Sequence, residues 1–219
     1  MKIFTADKSD DASAFDHVWS CLGQTPFPAY LTDPLCNIIG INQSMMDFHG
    51  LTDEIVTAAL RSKMGANVLG MLFRKESILR QSMGDGWEPI VRSNLHQFRA
   101  TALRYRNLAQ FETLLSLLCE RADFPRLWAE TRLNPTNDFY SQLRRFEYKH
   151  MIFGPVFYVA TMSTTITSLG NLHLTTHVPL NAQTVALFVK LSNREQSARE
   201  MMPWSSLVEN PLQTVVNHL

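Results

Sequence analysis

The segment Phe27-Pro-Ala-Tyr-Leu-Thr-Asp-Pro-Leu-Cys-Asn-Ile-Ile-Gly-Ile-Asn42 sets the architecture of this chain. Tyr30 to Thr32 and Ile38 to Ile41 are short runs of aromatic, β-branched and other apolar residues, and the Asp33-Pro34 turn separates them. This pattern predicts a β-hairpin. A hairpin alone is marginally stable in water, so we expect it to join strands from elsewhere in the chain.

The last third of the chain supplies candidates for those strands. Leu143 to His150 and Val156 to Thr167 are rich in aromatic and β-branched residues, and Leu172 to Val178 alternates as a half-buried antiparallel strand does. Helical periodicity fills the residues between the hairpin and these strands, and it recurs at both ends. The order predicts an α+β fold, a five-stranded antiparallel sheet with a helical insertion across one face and flanking N- and C-terminal helices.

Composition bounds the class of protein. Hydrophobic residues make up 45% of the 219 residues and charged residues 18%, which suits a globular core. Lys plus Arg and Asp plus Glu are equal at 20 each, so we expect no direct DNA binding by a dominant basic surface. The three cysteines lack metal-type spacing, and the N-terminus lacks a signal peptide. These features predict a cytoplasmic protein without a metal, a cofactor or a membrane span.

Several short motifs occur in a characteristic order along the chain. They are Asn42 at the end of the hairpin, the helix motif Phe124/Leu127/Trp128, His150 with Gly154 at the start of the late strands, and the strand end Val178-Pro179. Together they resemble the ligand-binding half of the MmyB-like transcription regulators, a PAS-like sensor domain associated with fatty acyl ligands. The likeness covers about residues 24 to 192, and Met151 stands where that family has proline.

The resemblance implies a domain layout. We expect a polar arm and helix over residues 1–23, a PAS-like ligand-binding domain over residues 24–192, and a tail over residues 193–219. About two dozen residues precede the sensor region, too few for a helix-turn-helix domain, so we expect the DNA-binding half to be lost or encoded elsewhere. PAS-like sensors commonly dimerise, and Phe15 and Trp19 are candidate exposed aromatics for a homodimer interface or for a regulatory protein partner.

Asn42 and Arg99 are candidate polar contacts for a ligand. The Asn42 amide could hold a head group or fix the start of the following helix beside the pocket; an ordinary helix cap is the simpler alternative. Arg92, Arg99 and Arg106 recur every seven residues on one helix face. Arg99, which the resemblance marks, could bind a carboxylate at the edge of an apolar cavity, although such rows are commonly solvated basic faces.

His150 and a set of apolar residues complete the candidate site. His150 could donate to a head group, act as a pH switch or serve as an axial haem ligand; a strand-end histidine bonded to backbone is the simpler alternative. The apolar candidates could line a lipid pocket or form an ordinary core, and they are Met45, Met46, Phe73, Leu95, Phe98 and Trp128.

These features favour a sensor that binds an apolar ligand, with a fatty acid as the expected ligand. An interaction module with a filled core and a sensor of haem or another cofactor stay open. We expect no enzyme, because Gly-x-Ser-x-Gly and His-Glu-x-x-His are absent, and Met71 replaces the lysine of a phosphate loop.

Overall fold

A computed structural model describes residues 8–133, 144–168, 170–192 and 197–203. The predicted tail beyond residue 203 and the predicted polar arm before residue 8 lie outside the described residues. The helices and strands are α1 Lys8–Gln24, β1 Ala29–Thr32, β2 Ile38–Asn42, α2 Gln43–His49, α3 Asp53–Leu60, α4 Val68–Phe73, α5 Ile78–Met83, α6 Trp87–Ala102, α7 Ala109–Cys119, α8 Phe124–Leu133, β3 Arg144–His150, β4 Gly154–Thr165, β5 Leu172–Pro179, α9 Ala182–Ser192 and β6 Ala198–Glu200.

The strands form one antiparallel sheet in the order β3-β4-β5-β1-β2-β6. The α+β class is confirmed, and the hairpin β1–β2 joins the late strands as predicted. The sheet has six strands instead of the predicted five, because Ala198–Glu200 pairs with the open edge of β2. This edge strand is short and lacks an apolar alternation, so pairing with β2, not an intrinsic strand pattern, fixes its conformation.

Helix α1 covers one face of the sheet. Val18 and Leu22 of α1 pack on Leu31 and on the start of β5, and Phe15 and Trp19 are half-buried against this cluster. A Cβ atom on Gly40 would lie 2.4 Å from the Trp19 ring, so the glycine permits this close approach. The prediction that Phe15 and Trp19 are exposed is therefore wrong, because the sheet buries them in part.

Most of the insertion helices cover the opposite face and enclose the main core. Strand β5 is consequently buried on both faces at its centre: Leu174, His173 and Thr175 are 9%, 3% and 1% exposed. The predicted half-buried pattern of this strand is wrong, because α1 and the insertion sandwich it. Polar β5 side chains therefore enter the interior, where they need partners.

Across the described part of the chain, no helix is long and apolar enough to cross a lipid bilayer.

Candidate functional site

A cavity of about 60 Å³ lies between the sheet and the insertion. A cavity needs about 10–15 Å³ to hold one water molecule, so this one is large enough for more than one water or for a short aliphatic segment. Most of its wall is apolar and consists of Ile38, Ile41, Met45, Leu51, Val68, Met71, Leu72, Leu79, Met83, Ile90, Phe146 and Ala160. The polar lining residues are Tyr30, His49, Asn94, Tyr158 and His177.

Asn42 positions the first helix of the cavity wall. Its Oδ1 accepts hydrogen bonds from the backbone N–H groups of Met45 (3.0 Å) and Ala29 (2.9 Å), and its Nδ2 donates to the carbonyls of Thr25 (2.9 Å) and Phe27 (2.8 Å). Asn42 is therefore the N-cap of α2 and also ties α2 to the chain that enters β1. These four bonds use the full capacity of the amide, which leaves Asn42 to fix the helix start beside the pocket.

Asn67 is the N-cap of helix α4, as Asn42 is of α2. Asn67 was not identified from the sequence. Its Oδ1 accepts from Gly70 N (3.1 Å), and its Nδ2 donates to the Leu35 carbonyl and to Asn37 Oδ1, both at 2.9 Å. Asn67 thereby caps α4 and fastens it to the turn of the hairpin. The available signal was an asparagine directly before an apolar run, which is the pattern of an N-cap.

The predicted apolar residues all belong to the main core or pack against it, but they differ in their relation to the cavity. Met45 lines it. Phe73 and Phe98 are buried in separate aromatic pairs. The ring centroid of Phe73 is 5.2 Å from that of Phe124, and the ring centroid of Phe98 is 5.8 Å from that of Phe111. Met46 and Leu95 are buried in the core, Trp128 is half-buried against it, and none of these three lines the cavity. Ligand contact by each of these six residues, Met45 included, stays a prediction.

Arg99 lies outside the cavity wall and holds helix α8 against α6. Its guanidinium stands 3.4 Å from the ring centroid of Trp128, and it donates to Thr131 Oγ1 (3.1 Å) and to the Trp128 carbonyl. Cation–π contact and these hydrogen bonds account for its position. Its role as a carboxylate partner stays a prediction.

His150 ends β3 and closes the turn into β4. Its Nδ1 accepts from the backbone N–H groups of Ile152 (3.1 Å) and Phe153 (3.3 Å), so the neutral ring carries its hydrogen on Nε2. Nε2 is buried and has no hydrogen bond of good geometry with the described residues. Burial lowers the pKa of His150, and the Phe48 carbonyl only partly opposes this shift.

Three imidazoles lie around the Phe48 ring, and two of them, His49 and His177, line the cavity. The ring centroid of Phe48 is 4.7 Å from that of His49, 5.0 Å from His150 and 6.2 Å from His177. We call His49, His150 and His177 the histidine cluster; its members are 3%, 1% and 7% exposed. His177 also stacks on Tyr158 at 4.3 Å. Sequence reasoning found only His150, because His177 occupies the strand face that was expected to meet solvent.

His49 lines the cavity and forms a hydrogen bond with Ser82 of α5. Its Nδ1 lies 3.3 Å from Ser82 Oγ, and that hydroxyl donates to the Leu79 carbonyl at 2.9 Å. Burial lowers the pKa of His49 well below its ordinary value, and proximity to His177 and His150 adds to this shift. His49 is therefore neutral near pH 7.

The histidine cluster does not form a metal site. Within residues 8–133, 144–168, 170–192 and 197–203, no three His, Cys, Asp or Glu side chains are placed to hold a metal ion. The three imidazoles instead surround an aromatic ring, which suits hydrogen bonding to an organic ligand better than metal coordination.

Comparison with known protein families gives a match over residues 20–200, to the family described as MmyB-like transcription regulator ligand binding domain. The matched segment begins within α1 and ends at β6, so it includes the whole sheet, the insertion and the cavity. No curated protein matches this chain.

Proposed function

Because this chain belongs to the MmyB-like transcription regulator ligand binding domain family, we propose that it binds a fatty acid or a similar apolar molecule and signals to a protein partner that controls transcription. The observation that carries this proposal is the cavity between the sheet and the insertion, whose wall is mainly apolar and has a few polar groups. Such a lining suits a molecule with an aliphatic body and one polar end.

The size of the cavity sets an expectation for the ligand. Each methylene group that the cavity buries would contribute about 0.8 kcal/mol, before the cost of ordering the ligand. A longer acyl chain requires the wall to move. Met45, Met71 and Met83 line the cavity, and methionine side chains adapt readily to irregular apolar shapes. We therefore expect the side chains of these three methionines to move first as the acyl chain of the ligand lengthens.

Signalling requires that the ligand bind two arrangements of the protein with different affinity. Helices α2 and α4 both line the cavity, and each is tied to the hairpin by an asparagine at its N-terminus. A ligand that widens the cavity would displace the free ends of these helices while their asparagine-capped ends stay fixed. We propose that a protein partner, or a second copy of this chain, responds to that displacement.

The test is calorimetric titration with hexanoic, octanoic, decanoic and tetradecanoic acids on the wild type and two methionine variants. Ala160 lines the cavity, so Ala160→Met fills it and should weaken binding at least about tenfold. Ser163→Met adds the same side chain at an exposed position of the same strand and should leave affinity within about twofold.

Equal affinity of the wild type and Ala160→Met would show that the ligand binds elsewhere. A wild type that binds none of the acids and purifies empty would favour the interaction module with a filled core.

A further inference from the structure

The cavity offers no fixed charge to a ligand. None of its described lining residues is Asp, Glu, Lys or Arg, and the polar groups are two tyrosines, one asparagine, His49 and His177. A carboxylate that leaves water for such a site loses its hydration without meeting a cation. The head group of a fatty acid must therefore be neutralised by a proton or held by neutral donors alone.

His49 can offer a hydrogen-bond acceptor, Nε2, to a protonated head group in the cavity. Ser82 Oγ lies within hydrogen-bond distance of both the Leu79 carbonyl and His49 Nδ1, and it has a single hydrogen. When that hydrogen goes to the carbonyl, Ser82 Oγ accepts from His49 Nδ1–H. The tautomer with hydrogen on Nδ1 leaves a lone pair on Nε2. His49 makes no described hydrogen bond through Nε2, and the residue lines the cavity.

The groups that face His49 do not supply a competing charge. Helix α2 packs against β1, β2, α5 and α9. From these elements and the nearby strands, the titratable or charged groups are Tyr30 of β1, Arg80 of α5, Lys190 of α9, Tyr148 and His150 of β3, Tyr158 of β4 and His177 of β5, beside Asp47 on α2 itself. Arg80 pairs with Asp123 at 3.0 Å, and Lys190 is exposed. The electrostatic influences on the pKa of His49 come from His177 and His150.

We infer that a carboxylic acid binds with its carboxyl group against Nε2 of His49, and that the complex holds one proton more than the separate ligand and protein. This inference rests on the proposed function. In the step, a carboxylate, one proton from solution and neutral His49 combine. The proton lies between a carboxyl oxygen and Nε2, as a neutral acid–imidazole pair or as a carboxylate–imidazolium pair.

The direction of the pH dependence follows from the free species. A carboxylic acid has a pKa of about 4–5 in water, so the free ligand is ionised near pH 7. Uptake of one proton then makes the apparent Kd rise about tenfold for each pH unit above the pKa of the ligand. An alcohol of equal chain length carries no titratable group and should bind with no pH dependence from this source. The ligand site would thus respond to acidification as well as to acid concentration.

Calorimetric titration of the wild-type chain with octanoic acid and octan-1-ol tests this directly. Measurements run from about pH 6 to pH 8 in two buffers of different ionisation enthalpy, which gives the number of protons exchanged. We expect about one proton taken up per octanoic acid, a Kd that rises about tenfold per pH unit, and no comparable trend for octan-1-ol.

Two variants locate the proton. His49→Phe keeps a ring of similar shape without Nε2, and His49→Gln keeps a polar group that does not take up a proton. Either should abolish proton uptake with octanoic acid, while any remaining octan-1-ol binding should show no pH trend. His17→Phe makes the same change at an exposed position of α1, away from the cavity, and is the matched control that should keep the full pH dependence.

Three results would overturn the inference. Octanoic acid that binds the wild type without proton uptake would show a carboxylate held by neutral donors. Proton uptake that persists in both His49 variants would assign the proton to another group. Absence of binding by both octanoic acid and octan-1-ol would overturn the proposed function as well as the inference. Failure of the inference alone would leave octan-1-ol binding intact.

Discussion

Asn42→Ala should destabilise the protein severely, because one amide satisfies two buried backbone N–H groups and two partly buried carbonyls. The substitution leaves two N–H groups and two carbonyls without partners, and the residue is 0% exposed. A buried polar group without a partner costs about 1–3 kcal/mol, and loss of an N-cap alone costs about 1 kcal/mol. Partial relaxation and entering water reduce the sum, so we expect a loss of about 4 kcal/mol. Since domains are stable by about 5–15 kcal/mol, the variant should be marginal.

Urea unfolding followed by circular dichroism measures this loss, and Thr52→Ala is the matched control. Thr52 caps α3 with one exposed hydrogen bond to Ile55 N and ties no second segment, so its removal should cost about 1 kcal/mol or less. The difference between the two variants isolates the role of Asn42 in fastening α2 to the start of β1. An Asn42→Ala loss no larger than that of Thr52→Ala would refute this reasoning.

Three further predictions test other parts of the structure. Gly40→Val should push Trp19 off the sheet and lower the free energy of unfolding by about 1–3 kcal/mol. Limited proteolysis should then cut α1, while the affinity for octanoic acid stays unchanged. An α1 that stays protected from the protease would contradict the packing of Trp19 on Gly40. Burial raises the pKa of Asp33 to about 6, so the folded state binds its proton more tightly than the unfolded state. In urea unfolding, stability relative to Asp33→Asn should therefore rise by about 2 kcal/mol as the pH falls from about 6 to about 4, and a constant difference would exclude this. Arg99→Met should cost about 1–2 kcal/mol and raise hydrogen exchange around Trp128, whereas unchanged exchange would show that Arg99 does not help to hold α8 against α6.

The hairpin could be predicted from the sequence because its signals are local. Asp33 accepts from Leu35 N and Asn37 N and so shapes the turn, and two apolar runs flank it. Strand Ala198–Glu200 could not be predicted, because it depends on the edge that β2 offers and carries no apolar alternation of its own. Local chemistry therefore predicts the hairpin, while tertiary pairing adds the sixth strand.

The candidate site was harder to predict because periodicity does not tell which side of an element meets a cavity. The row that contains Arg99 flanks the apolar stripe of α6, but the fold places Trp128 beside it. His177 alternates with apolar residues as an exposed strand residue would, yet the insertion covers that face. His150 was predicted as a candidate, and its bonds to the backbone of the following turn match the simpler alternative.

Native mass spectrometry of freshly purified protein, with solvent extraction of any bound molecule, tests the central claim most directly. We expect a fatty acid or similar aliphatic molecule at about one per chain in the wild type and in Ser163→Met, and an empty chain in Ala160→Met. A wild type that is empty, and stays empty after incubation with octanoic and tetradecanoic acids, would contradict the proposed ligand-binding cavity.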